Sequence, residues 1–415
     1  MMTAVLPRLC AIPRADDMVS RARRHTNLAD FGETPFAEAL AMLLRSCREE
    51  ADLSLFGRFA LRWDSTRFLS NLLRLRAEEL RAPEILDQPI ERPIIITGLP
   101  RSGTTFLHGL LAEDPANLVP RVWQLIHPYP VTRSGADRRP QRVARQLRLF
   151  AMLAPELRRL HPITADSPQE CSEITAHVFA SLRFDTTYRI PSYRRWLDAA
   201  GHGEAYRFHR RFLQHLQHQA GRAVRWVLKC PDHIFALAAI REVYPDARLV
   251  FVHRDPLAVL RSVARLTGVL RRPFARRIDK LEIGREDSDR WLGATELMIA
   301  AAAWRPLAEP IFHAHYTGLV RDPLGTVAAI YRHFGIELTP AAADAIRRLV
   351  ARKPDGGYGA HRYRFAEHGL DAVRERARYS RYTDHFAVPL EVAIREKSIP
   401  STSGGRRRPS AAPGD

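Results

Sequence analysis

The sequence predicts an α/β fold: a P-loop-like parallel sheet flanked by helices, with a helical N-terminal extension and a helical insertion. Three observations predict it. Short β-branched runs recur at 93–98 (PIIITG), 225–229 (RWVLK) and 248–253 (RLVFVH), continuously apolar rather than alternating, as strands covered on both faces must be. Each run leads directly into a stretch with helical periodicity, the strand-then-helix order of a parallel sheet. The first run also ends in a turn bounded by Gly98 and Gly103, a spacing suited to wrapping backbone around a phosphate.

Residues 1–90 read as the helical extension. In PFAEALAMLLRSCREEADLSLFGRFALRW and RFLSNLLRLRAEELRA the apolar residues fall three and four apart, opposite Arg and Glu. The α/β body then runs over 91–395. Between its first two strands lies an insertion at about 115–220, mostly helical and rich in Arg, His and Tyr. Loops at the carboxyl ends of such strands build ligand sites, so the insertion is the expected place for acceptor recognition. A fourth strand is expected in IFHAHY, 311–316. Residues 396–415 lack apolar periodicity and read as a disordered basic tail.

Composition narrows the partners. At 415 residues and 46% hydrophobic content the chain can fill a substantial core. A formal net charge of +18, most of it arginine, favours nucleic acid, acidic lipid headgroups or a polyanionic small molecule. Cys10, Cys47, Cys171 and Cys230 are scattered with no CxxC pair, which signals neither a zinc site nor a disulfide framework and suits a reducing cytoplasm. The N-terminus has no sustained apolar h-region, and no apolar run approaches the ~18 residues of a membrane span. A cytoplasmic location is therefore expected.

The turn after the first strand has the GxxxxG spacing of a P-loop, but Thr104 and Thr105 follow where a nucleotide triphosphatase places Lys and Ser or Thr. Backbone N–H groups and a helix start near Ser102 or Gly103 would still converge on an anion, with Arg101 as the cation inside the loop. In FVHRDPLAVLRSV, Asp255 is a good N-cap and Pro256 a good first helical residue, so a helix begins after Arg254. Ser262 lies two turns along it, and an arginine at a strand end with a hydroxyl on the next helix can clasp one anionic group. HRD also suggests a kinase catalytic loop, but that motif needs Asn where the chain has Leu260. Lys229 ends another buried strand, either snorkelling to solvent or aimed at ligand charge.

Together these residues resemble the sulfotransferases that use 3′-phosphoadenosine 5′-phosphosulfate (PAPS), in particular a bacterial branch with a helical N-terminal extension. GLPRSGTTFL resembles the family's 5′-phosphosulfate loop, HRDP…RS its 3′-phosphate clasp, and LKCPDH the strand carrying its transfer lysine. PRVWQLIHPYP, SPQECSEI, HYTGLVRDPLGTVAAIYRHFGIEL and HRYRFAEHGLD extend the likeness over roughly residues 20–380. The resemblance implies PAPS as co-substrate, with no metal. It also implies that Arg101, Ser102, Gly103, Thr104 and Thr105 hold the 5′-phosphate, that Arg254 and Ser262 hold the 3′-phosphate, and that Lys229 stabilises charge on the bridging oxygen. Phe106 stands where a tryptophan often stacks on adenine, and Tyr316 matches a family tyrosine near the base. Arg362, with His361 and Tyr363 after PDGGYGA, closes over the nucleotide or forms a surface turn.

Many cytosolic members place a catalytic histidine two residues after the lysine, where this chain has Pro231. The resemblance points to Glu170 in SPQEC as the base instead. A local reading competes: Ser167, Pro168 and Glu170 also match the N-cap, N1 and N3 of a capping box. His233 is the second candidate, against its reading as a helix-start histidine, with Asp232 read as the helix N-cap. The acceptor is expected to be a small-molecule, glycolipid or carbohydrate hydroxyl, with peripheral membrane contact allowed by the basic surface and no role for nucleic acid. The rivals are a P-loop nucleotide kinase, which needs magnesium and ATP, and a basic nucleic-acid-binding protein, for which the charge has no accompanying motif.

Overall fold

The computed structural model describes residues 11–131, 137–153, 163–222, 225–304, 309–352 and 365–392. Five strands form one all-parallel sheet in the order β2-β3-β1-β4-β5: β1 Ile94–Gly98, β2 Asn117–Leu118, β3 Arg225–Lys229, β4 Arg248–His253 and β5 Phe312–His315. The central three are the three β-branched runs. Their alternate residues enter two separate cores, as burial on both faces requires. Ile95, Trp226, Leu228 and Phe251 pack on one side, and Ile94, Ile96, Val227, Val250 and Val252 on the other. β5 falls one residue inside the expected 311–316 at each end. β2 was not anticipated, because two residues are too few to carry a periodic signal.

Helices follow the strands as a parallel sheet demands: Thr104–Ala112 after β1, Pro256–Arg271 after β4, and Tyr316–Arg321 with Pro323–His333 after β5. After β3 the chain first makes a 3₁₀ turn, Pro231–Ala236, then the helix Leu237–Val243.

The extension contributes helices Ala15–Thr26, Ala37–Glu49 and the 27-residue Leu55–Arg81. Ser54 caps the long helix by accepting from the Gly57 N–H at 3.0 Å. This helix packs on the insertion. Phe68 meets Phe179 and Phe184 edge-on, and Arg67 reaches Glu173 at 2.7 Å while Arg183 reaches Asp64 at 2.9 Å. A second buried pairing joins Glu79 to Arg211 and His215 of the helix Gly203–Ala220. Burial alone would raise the Glu79 carboxyl, but hydrogen bonds from His215 and Arg211 outweigh it and hold the group down at about 2.

β3, β1 and β4 are neighbours in the middle of the sheet, with Ile96 beside Lys229 and Gly98 beside Val252. The three turns singled out in the sequence therefore leave side by side from one edge, a strand spacing of about 4.8 Å apart.

Candidate active site

The loop between β1 and its helix is built around two glycines whose backbone and surroundings leave no strain-free place for a Cβ. Gly98 has φ +151°, and a Cβ there would meet the Val252 carbonyl oxygen at 2.3 Å. Gly103 has φ +93°, and a Cβ there would meet the Tyr316 ring at 2.9 Å. Arg101 also adopts a left-handed conformation, φ +63°, which is strained for a side-chain-bearing residue. The helix starts at Thr104 with Gly103 in the cap position. Ser102 is fully buried, and its hydroxyl has no hydrogen-bond partner. A buried orphan hydroxyl is costly unless a ligand completes it, and here it lies in a loop at a helix N-terminus, where anions bind.

Lys229, at the end of β3, is only 2% exposed. Its Nζ donates to Glu170 Oε1 at 2.6 Å and to Thr105 Oγ1 at 3.1 Å, joining the loop to the insertion. Glu170 arrives there because its neighbours are stitched down. The Cys171 N–H donates to the Lys229 carbonyl at 3.1 Å, and the Gln169 N–H to that of Pro120 at 2.8 Å. The capping box does not form. Pro168 is held in a bridge with Arg121, the helix begins only at Ser172, and the Ser167 hydroxyl accepts from the Thr164 N–H instead.

Asp232 is not an N-cap. Cys230 precedes the 3₁₀ turn, and Asp232 lies inside it on the wall of a cavity. Burial, then the neighbouring Glu170 charge, push its carboxyl up to about 7. His233 faces inward. It is fully buried, Nδ1 bonds the Tyr206 hydroxyl, and Nε2 has no partner. Burial, followed by His209, Lys229 and His108, holds its imidazole well below the usual range.

At the end of β4, the Asp255 carboxylate accepts from the Leu257 N–H at 3.0 Å and Pro256 opens the helix, as expected. Arg254 Nη1 donates to the Arg101 carbonyl at 2.6 Å, and Arg101 Nε donates to Ser262 Oγ at 3.1 Å. The Arg254 guanidinium lies 3.8 Å over the Tyr316 ring, the same ring that abuts Gly103. Arg101, Arg254, Ser262 and Tyr316 thus share one corner. Arg254 pairs with Glu391 there, a residue the sequence did not signal. Asp255 anchors the Glu391 segment by accepting from the N–H groups of Glu391 and Val392 at 2.8 and 2.9 Å. Phe106 is half-buried and packs against the core that holds Leu107 and Val227. His361, Arg362 and Tyr363 lie outside the described residues, as does the basic tail.

Beside this corner opens a cavity of about 470 Å³. Pro100 of the loop, Glu170 and Asp232 line it together with charged groups such as Asp185, Arg271 and Asp287, and Phe235, Leu266, Leu270, Phe274 and Trp291 supply a stretch of apolar wall. Arg290 lies 3.5 Å over the Phe235 ring, stiffening one side. An anion cradle, a buried cation, a carboxylate and a cavity with a partly apolar wall can together hold a charged donor against an uncharged acceptor.

Comparison with known proteins points the same way. A family model described as "Sulfotransferase family" matches residues 93–340. The crystal structure of sulfotransferase STF9 from Mycobacterium avium is 29% identical, with a TM-score of 0.78 over 91% of this chain and 98% of that one. That of sulfotransferase STF1 from Mycobacterium tuberculosis is 30% identical, with a TM-score of 0.75 over 89% and 99%. The omega-hydroxy-beta-dihydromenaquinone-9 sulfotransferase Stf3 of Mycobacterium bovis is 26% identical over 279 residues, 63% of this chain and 68% of that protein.

Proposed function

The chain belongs to the sulfotransferase family, and from that premise we propose that it moves the sulfuryl group of PAPS to a hydroxyl of an apolar acceptor by in-line displacement. The observation that carries the reading is the position of Lys229, whose Nζ touches both Thr105 of the loop and Glu170 of the cavity wall. A cation between an anion cradle and a carboxylate is what transfer from a phosphosulfate to an alcohol requires.

In this reading the loop from Arg101 to Thr105 holds the 5′-phosphosulfate, and the orphan Ser102 hydroxyl and the strained Arg101 backbone fit that use. Arg254 and Ser262 hold the 3′-phosphate, and Tyr316 borders the base. Glu170 accepts the proton from the acceptor hydroxyl as its oxygen bonds to sulfur. The bond from sulfur to the bridging oxygen breaks, and Lys229 neutralises the charge left on the departing 3′,5′-bisphosphate. Glu170 is preferred to His233 because it lies on the cavity wall while the imidazole is buried behind it. No metal is assigned a role.

The apolar cavity wall favours an acceptor that is largely hydrocarbon around its hydroxyl, and the name of the Stf3 relative, which specifies an omega-hydroxylated dihydromenaquinone, supports that class. A reducing cytoplasm suits the buried free thiols Cys47, Cys171 and Cys230. The kinase reading has Thr104 where it needs a lysine, and +18 by itself supports no nucleic-acid role.

The test is incubation with isotope-labelled PAPS in a chelator, with apolar alcohols, phenols and sugars as acceptors and mass spectrometry as readout. A sulfuryl group added to an apolar alcohol is expected. Intact donor with every acceptor, or turnover that demands ATP and magnesium, overturns the proposal.

A further inference from the structure

On the long helix Leu55–Arg81, Leu55, Phe59 and Trp63 are 70%, 64% and 45% exposed. Spaced four apart, they form one ridge roughly 12 Å long on the side away from the buried Leu61, Phe68 and Leu72. Single exposed apolar residues are ordinary, but a continuous row with two aromatics marks a surface that meets something. The start of this helix is fixed to the segment Arg271–Arg277. Phe56 stacks on Phe274 at 5.6 Å, the Ser54 N–H donates to the Phe274 carbonyl at 2.8 Å, and Leu53 bridges Ala275. That segment brings Arg272, Arg276 and Arg277, all exposed, to the end of the ridge, with Arg276 loosely paired to exposed Asp52 at 3.6 Å. Both elements also reach the cavity, through Asp64 next to Trp63 and through Phe274.

We propose that this face docks on an anionic lipid bilayer. Leu55, Phe59 and Trp63 enter the headgroup region and the arginines of 272–277 meet lipid phosphates, so a lipid-held acceptor reaches the cavity from the membrane surface. A second copy of the chain fits less well: three apolar side chains fall far short of the roughly 800 Å² per partner that a stable protein interface buries, and the copy would bring the same cations. An anionic bilayer supplies both the apolar phase and the opposite charge. The docking does not depend on the sulfuryl chemistry, and its test uses neither donor nor acceptor.

The full-length protein is floated with phosphatidylcholine vesicles, with and without phosphatidylglycerol. Wild type should float with the anionic vesicles and be released as salt rises. Replacing Leu55, Phe59 and Trp63 together by serine should cut partitioning roughly tenfold or more. Because Trp63 also packs on Arg67, the pair Leu55→Ser, Phe59→Ser, both mostly exposed, should lose partitioning in the same direction with little change in melting. The double variant Arg276→Glu, Arg277→Glu should lose at least about fivefold for each cation removed. Wild type that remains with buffer in both mixtures, or a serine variant that floats as well as wild type, overturns the proposal. So does a wild-type dimer that the serine variant converts to monomer.

Discussion

The Arg254 guanidinium is held by the carboxylate of Glu391, Nε and Nη2 each donating to one oxygen at 2.9 Å. The pair closes across 137 residues, at the corner where Arg101 and Ser262 also meet. In the proposed chemistry Arg254 serves the nucleotide's 3′-phosphate, so Glu391 stands as an anion already paired with the binding cation. Glu391→Ala is therefore expected to tighten 3′,5′-bisphosphate nucleotides by up to about fivefold, the range of an ion pair that solvent still reaches. Calorimetric titration checks this, and weaker binding would instead make Glu391 a residue that orients Arg254.

Arg254→Ala should weaken 3′-phosphoadenosine 5′-phosphate by about a hundredfold, in the range of a lost charge-assisted pair. Adenosine 5′-phosphosulfate, which lacks the 3′-phosphate, should lose little. Parallel titrations with the two ligands make the comparison, and equal losses would move the 3′-phosphate elsewhere.

Two glycines of the same strand-loop-helix unit, Gly103 in the loop and Gly109 in the helix, should respond oppositely to alanine. Gly103 has a left-handed backbone and the Tyr316 ring 2.9 Å from any added Cβ, so Gly103→Ala should cost about 1–3 kcal/mol of stability and at least tenfold in nucleotide affinity. Gly109 has nothing within 4 Å of an added Cβ, so Gly109→Ala should be stabilising by up to about 1 kcal/mol. Thermal melts of both variants decide it.

Burial raises the Asp287 carboxyl from 3.8 to about 7. The folded chain thus keeps a proton that the unfolded chain releases, and stability falls as pH rises from about 4 to about 7. Asp287→Asn removes that term. Its melting temperature should vary less with pH across this window, and at pH 8 it should exceed wild type by on the order of 1–3 kcal/mol of stability. A variant less stable than wild type at pH 8 would mean that the carboxylate, accepting from the Thr267 hydroxyl at 3.0 Å, is ionised and useful in the fold.

The central sheet was legible because β1, β3 and β4 are buried on both faces, and that environment leaves unbroken apolar runs in the sequence. The loop was legible because Gly98 and Gly103 answer local backbone demands. Glu170 also fitted the third position of a local capping box, and that reading fails on contacts from distant segments, the bridge between Pro168 and Arg121 and the pairing of the Cys171 N–H with the Lys229 carbonyl. Asp232 was misread as a cap since the rule for caps is local, while its placement on the cavity depends on where the insertion folds. Glu391 left no trace at all, because an ion pair between residues so distant in the chain follows no periodicity.

The most direct measurement compares Glu170→Gln with wild type in PAPS turnover and PAPS binding, side by side. The account predicts turnover lower by about a hundredfold or more, the usual contribution of a general base, with donor affinity changed little. Near-normal turnover in that variant would contradict it, and would take the proton-accepting role away from the carboxylate that Lys229 holds.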